Sequence, residues 1–195
     1  MATAKKTVKF NYLGIRFELP ENCLRTKSYW GDTLSEPFIS IGRKEVPLLF
    51  KQYVKAKYPD MLVWGKSSTF ANGSSSDLYA CYANGDELEW GSKEYKELNS
   101  FVNSMSGGHY NGMEDIYEYC EPGKTDNGTV LEFNSKYVHF NPKAPFGSWP
   151  DVKRMLLDMQ AGKYVWGVLS LEEAIEKVKT YSCKDSDIQK ALQFI

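Results

Sequence analysis

Histidine is nearly absent from this chain: His109 and His139 are the only two among 195 residues. Cysteine is sparse too, with Cys23, Cys81, Cys120 and Cys183 far apart and no C-x-x-C pair. Spacings of that kind fit no zinc module, so neither a metal nor another cofactor is expected. No apolar run approaches the roughly 20 residues that a membrane-spanning helix needs. The opening Met1-Ala-Thr-Ala-Lys-Lys-Thr7 leads straight into alternating strand-like residues, with no apolar signal segment. These absences lead us to expect a cytoplasmic protein with free thiols and no membrane partner.

Catalytic signatures are missing as well. No Ser, Cys or Thr sits in a nucleophile elbow, and no glycine-rich loop matches a phosphate cradle. A two-histidine phosphodiesterase would carry a hydroxyl two residues after each histidine. Here the runs are His109-Tyr-Asn and His139-Phe-Asn. Net charge is also lacking, at −1 with a pI near 6.2, which disfavours an autonomous nucleic-acid binder.

The near-neutral total hides a polarity. Residues 43–76 hold six cations against two carboxylates, a formal +4, and residues 77–126 hold eleven carboxylates against three lysines, a formal −8. Lys51, Lys55 and Lys57, with Tyr58 and Trp64 for stacking, give nucleic acid only weak support as a partner. Aromatics are abundant at 14%, with thirteen Tyr, ten Phe and five Trp. Most belong in a core, and those left outside favour contact with partners.

Periodicity supplies the elements. Residues 7–12 and 15–19 alternate around Leu13-Gly14 as a hairpin, and Phe38–Ile41 reads as a strand. The stripe Val46, Leu49, Phe50, Tyr53 and Val54 predicts a helix over about 44–58, with Pro47 in its first turn. A second hairpin pairs 61–64 with 77–82 across a long, Ser-rich and partly mobile tip. Ser92 caps a helix to Met105 whose buried stripe is Tyr95, Leu98, Val102 and Met105. Gly107 and Gly108 then read as its left-handed stop. Residues 128–133 and 136–140 read as a hairpin turning at Asn134-Ser135.

Pro142, Pro145, Gly147 and Pro150 mark a boundary, after which the pattern is helical. Ser148 is expected to cap a helix to Gln160, and Ser170-Leu-Glu-Glu173 is a capping box. The fold class is thus α+β: a mainly antiparallel twisted sheet, helices packed on one face, and a helical C-terminal segment. As domains, residues 1–144 form an α+β core and 145–195 a helical extension packed on it.

One stretch concentrates unusual residues. Gly107-Gly-His-Tyr-Asn-Gly-Met-Glu-Asp-Ile-Tyr-Glu-Tyr119 holds three glycines, a histidine, three tyrosines and three carboxylates. It resembles a Gly-His-Phe-Asp-Gly-Met-x-Asp-x-Tyr-Glu-Tyr pattern of the large polyvalent protein-associated domain families. Phe50-Lys-Gln-Tyr-Val-Lys-Ala-Lys-Tyr-Pro59 and Ser75-Ser-Asp-Leu-Tyr79 carry the rest of the resemblance, which covers about residues 45–120. Tyr110 stands for the pattern's Phe and Asn111 for its Asp, which removes a carboxylate from any metal reading. The family implies no reaction. It implies a protein of a phage or conjugative element in the cytoplasm of a bacterial host, where such proteins bind and modulate host factors, interference with a defence system included.

Two functions follow. The favoured one is a non-enzymatic binding protein whose partner is a host protein. Its contact residues would be His109, Tyr110, Asn111, Glu114 and Asp115, with Tyr29 and Trp30 from an earlier loop and the Ser-rich hairpin stretch of residues 70–76 beside them. The alternative is a small enzyme or ligand-sequestering protein with a pocket around His109 and Asp115, because a histidine oriented by a carboxylate can move protons near neutral pH.

Overall fold

Two residues, Leu13 and Gly14, turn the first hairpin, both at positive φ (52° and 71°). That geometry matches the twist of the strands it joins, β1 (Thr7–Tyr12) and β2 (Ile15–Pro20). The computed structural model describes residues 6–27, 33–71, 73–114, 116–163 and 167–195, with backbone alone at 33–35 and 110. The chain continues through β3 (Leu24–Lys27), β4 (Thr33–Ile41), α1 (Val46–Lys57), β5 (Leu62–Phe70), β6 (Gly73–Cys81) and α2 (Lys93–Ser104). Then come β7 (Gly108–Asn111), β8 (Ile116–Tyr119), β9 (Gly123–Lys124), β10 (Val130–Phe133) and β11 (Tyr137–Asn141). Three helices close the chain: α3 (Trp149–Gln160), α4 (Leu171–Lys179) and α5 (Asp185–Ala191).

The architecture is α+β with a helical C-terminal segment. Strands pair as β1-β2, β3-β4-β10-β9, β11-β6-β5 and β7-β8. One expected pairing changes, and one expected tip is absent although its strands, β5 and β6, do pair. β10 and β11 do not form a hairpin: β10 lies parallel to β4, with Leu131 beside Ile39, and β11 joins β6. Nor is the Ser-rich stretch a tip. Ser67–Phe70 and Gly73–Ser76 belong to β5 and β6, where Ser68 and Ser75 share a hydroxyl hydrogen bond of 2.8 Å.

By internal contacts the chain divides into two compact units. The first comprises Met1–Pro59, Gly65–Leu78 and Lys96–Phe140. Its core holds the expected stripe of α1: Val46, Leu49, Phe50, Tyr53 and Val54 are all buried, as are Leu98, Val102 and Met105. Four rings stack in series through this core. Phe10 meets Phe17 at 5.7 Å, Phe17 meets Phe101 at 6.0 Å, and Tyr53 lies on Phe101 at 3.8 Å and 8°. Burying large rings in such offset or tilted pairs is a main source of packing energy in an aromatic-rich chain.

The second unit comprises Asp60–Trp64, Tyr79–Tyr95 and Asn141–Ile195, so its helices are joined by two earlier segments. Val152, Met155, Leu156 and Met159 of α3 pack with Ala174 and Val178 of α4 and with Ile188 and Ala191 of α5. The capping box forms as expected: Glu173 N–H donates to Ser170 Oγ at 3.3 Å, and Ser170 N–H to Glu173 Oε2 at 2.8 Å. Ser148 differs from expectation. Its hydroxyl donates to the Pro145 carbonyl at 2.6 Å, while Asp187 of α5 accepts from the Trp149 N–H at 3.1 Å. A carboxylate from a neighbouring helix therefore satisfies the N-terminus of α3.

Candidate functional site

The segment from Gly107 to Tyr119 is a β-hairpin, β7 paired antiparallel with β8; the alternation from Ile116 to Cys120 predicts the second strand, but residues 107–115 were expected as a loop. Gly108 faces Tyr119, His109 faces Glu118, Tyr110 faces Tyr117 and Asn111 faces Ile116. Neither Gly107 nor Gly108 has positive φ, so they are not a left-handed stop. They serve close approach instead. A Cβ at Gly107 would strike the backbone carbonyl of Phe133, and one at Gly108 would strike the carbonyl of Glu118 and the Tyr117 ring.

The base of the hairpin is tied down on both sides. Gly107 N–H donates to the Ser135 carbonyl at 3.1 Å, and Cys120 N–H to the Gly107 carbonyl at 3.0 Å. Ser106 Oγ donates to the Gly108 carbonyl at 2.6 Å. At the far end Asn111 Oδ1 accepts from the Met113 N–H at 3.2 Å, a local turn bond of the kind asparagine favours.

One face of the hairpin carries the expected histidine. His109 Nε2 lies 2.9 Å from Glu118 Oε2, and Asn111 Nδ2 donates to Glu118 Oε1 at 2.7 Å. Both carboxylate oxygens are therefore engaged within the hairpin. The His109 side chain is 67% exposed, so the pair is screened and worth at most about 1 kcal/mol. Its structural effect is to hold the two strands in register.

The other face begins an aromatic strip. Tyr119 meets Tyr117 edge-on at 5.1 Å, and Tyr117 meets Tyr137 of β11 at 5.8 Å. Tyr137 in turn stacks on Phe70 of β5 at 6.0 Å and on His139 at 6.3 Å. Lys136 Nζ sits over Tyr117 at 4.6 Å and over Tyr137 at 5.6 Å, and the Tyr117 hydroxyl donates to the Lys136 carbonyl. Burial pushes the Tyr117 hydroxyl up to about 12, with Tyr137, Cys120 and Tyr119 adding smaller effects.

Several large apolar side chains of the hairpin and of neighbouring β5 are open to solvent: Met113 at 98% in the turn, Tyr119 at 85%, Ile116 at 47% on the His109 face and Phe70 at 46%. The structure brings His109 and Asn111 together around Glu118 and leaves Glu114 exposed in the turn. Tyr110 pairs through its backbone, and its side chain lies outside the described residues, as do Asp115, Tyr29 and Trp30. Tyr137 and Lys136 were not anticipated, whereas Phe70, Tyr117 and Glu118 lie in stretches that the sequence already marked for contact or as neighbours of His109. The pairing of His109 with Glu118 was accessible in principle, because a strand pair closing near Gly112 places them opposite each other.

Among the described residues no three His, Cys, Asp or Glu side chains come close enough to hold a metal ion, and no helix is long and apolar enough to cross a membrane. No family model, curated protein or solved structure matches the chain.

Proposed function

We propose that this chain is a binding protein that acts by contact with another protein, through the β7–β8 hairpin and the aromatic strip at its base. The observation that carries this reading is the exposure of Met113 and Tyr119, at 98% and 85%, on a hairpin whose base is closed by the Cys120–Gly107 bond and held to Ser135 by the Gly107 N–H. Exposed apolar and tyrosine side chains on a rigid support are what interfaces use, because little entropy is lost when they are covered. The resemblance of this stretch to the large polyvalent protein-associated domains supplies the setting: an accessory protein of a phage or mobile element that binds a bacterial host factor in the cytoplasm, with inhibition of a defence system as one such role. A catalyst centred on His109 is less well supported, since that ring is two-thirds exposed and both oxygens of Glu118 are engaged.

The test is capture of partners from bacterial lysate by tagged protein, followed by quantitative binding to whatever is enriched. Met113→Asp and Tyr119→Ala should each weaken binding at least about tenfold, or 1.4 kcal/mol, while leaving the melting temperature unchanged. Wild-type binding by both variants would remove the hairpin from the contact surface.

A further inference from the structure

The sheet β3-β4-β10 has one face in the core and charges on the other. Ile39 and Ile41 of β4 are buried with Leu131, which lies beside Ile39. By strand alternation Phe38 and Ser40 point the opposite way. Arg25 pairs with Phe38 across the sheet and Glu132 with Ser40. On that side lies a cleft of about 380 Å³, whose lining includes Arg25, Lys27, Phe38, Ser40, Glu45 and Glu132. Its size falls at the small end of ligand sites.

The two cations and two carboxylates form no ion pair with one another among the described residues. Glu132 is held by one neighbour: Asn134 Nδ2 donates to its Oε2 at 3.2 Å and to Ser40 Oγ at 3.0 Å. Glu45 precedes the first turn of α1 without capping it, and its carboxylate lies over Gly42, where a Cβ would come within 2.9 Å of Oε2. Cys23 is buried in the lining of the cleft. Burial pushes its thiol up, the charge of Glu45 adds to that, and Arg25 opposes it. Phe38, only 4% exposed, is the apolar floor.

Mixed lining of this kind selects by charge. A phosphate-bearing ligand would meet two carboxylates, and a polyamine would meet Arg25 and Lys27. A small molecule with one charge of each sign, placed close together, satisfies both sets. We propose that this cleft binds a small zwitterion of the α-amino acid type, with its carboxylate toward Arg25 and Lys27, its ammonium toward Glu132 and Glu45, and its apolar part on Phe38. The proposal stands apart from the hairpin reading, because the two sites share no residue.

The full chain should be screened against the common L-amino acids by thermal shift, and the strongest stabiliser measured by calorimetry. We expect a Kd below about 1 mM, with the methyl ester and the N-acetyl derivative of the same amino acid each at least tenfold weaker. Arg25→Ala and Glu132→Gln should show the same loss. Should Glu132→Gln lower the melting temperature, Glu45→Gln carries that arm of the test. The proposal is overturned if no amino acid binds below that limit, if either derivative binds as its parent does, if the folded variants bind like wild type, or if adenosine monophosphate binds more tightly than any amino acid.

Discussion

The side-chain amide of Gln52 holds both backbone groups of Glu18. Gln52 Oε1 accepts from the Glu18 N–H at 2.8 Å, and Gln52 Nε2 donates to the Glu18 carbonyl at 2.8 Å. A helix side chain thereby does for β2 what a further strand would do, and ties α1 to the first hairpin. Both bonds lie near solvent, so water can replace them in part. Gln52→Ala should lower stability by about 1 kcal/mol in urea unfolding. Gln52→Glu should cost more at neutral pH, because it sets a carboxylate against the Glu18 carbonyl. An Ala variant as stable as wild type would show that the bonds contribute nothing.

Gly108→Ala tests the close approach at the hairpin base. The new methyl group meets a backbone carbonyl and a ring already hydrogen-bonded to Lys136, so neither side yields easily. The expected cost is about 1–3 kcal/mol. Amide exchange at Cys120, whose N–H reaches Gly107, should quicken in step. Unchanged protection of that amide would mean that the strands accommodate the methyl group.

The phenol of Tyr117 gives a pH dependence. Its native value is pushed up to about 12 from an ordinary 10, chiefly by burial. The folded state therefore keeps that proton where the unfolded chain loses it. This contribution is fully present below about pH 10 and is lost as pH rises through about 12. Absorbance titration of wild type against Tyr117→Phe should show one tyrosine missing from the upper part of the curve. A difference centred near pH 10 would sink the assignment.

Thiol reactivity should divide by burial. Cys120 is exposed, while Cys23 and Cys81 are buried, and burial pushes the Cys81 thiol up to about 12, with Asp86 and Glu87 adding to it. Since the thiolate is the reacting form, native protein treated with a disulfide reagent should show Cys120 reacting first. Cys23 and Cys81 should react only on addition of denaturant. Modification of Cys81 at the rate of Cys120 in native protein would contradict the packing around it.

Helix positions were legible because a buried stripe repeats locally, and Val46, Leu49, Phe50, Tyr53 and Val54 of α1 faced the core as their spacing required. Partner choice between strands was not legible. Alternation marks Val130–Phe133 as a strand, but nothing in those residues says that β4, some ninety positions earlier, lies beside it. The serines of β5 and β6 misled for a related reason: serine suits turns, and here sheet pairing outweighed that preference. At the site, glycine was read as freedom to turn. Its other use, room for a second backbone, depends on where residue 133 goes and leaves no local trace.

The atoms that exclude a side chain at Gly107 and Gly108 include main-chain oxygens, of Phe133 and Glu118 respectively. No substitution elsewhere can remove a main-chain oxygen, so crowding there has no compensating mutation. Met113 and Glu114 lie exposed at the other end, where their side chains already stand in solvent. A randomised library built on this hairpin should therefore tolerate almost any residue at its tip and reject nearly all at its neck. Recognition of a changed partner could then be retuned at two positions without disturbing the scaffold that presents them.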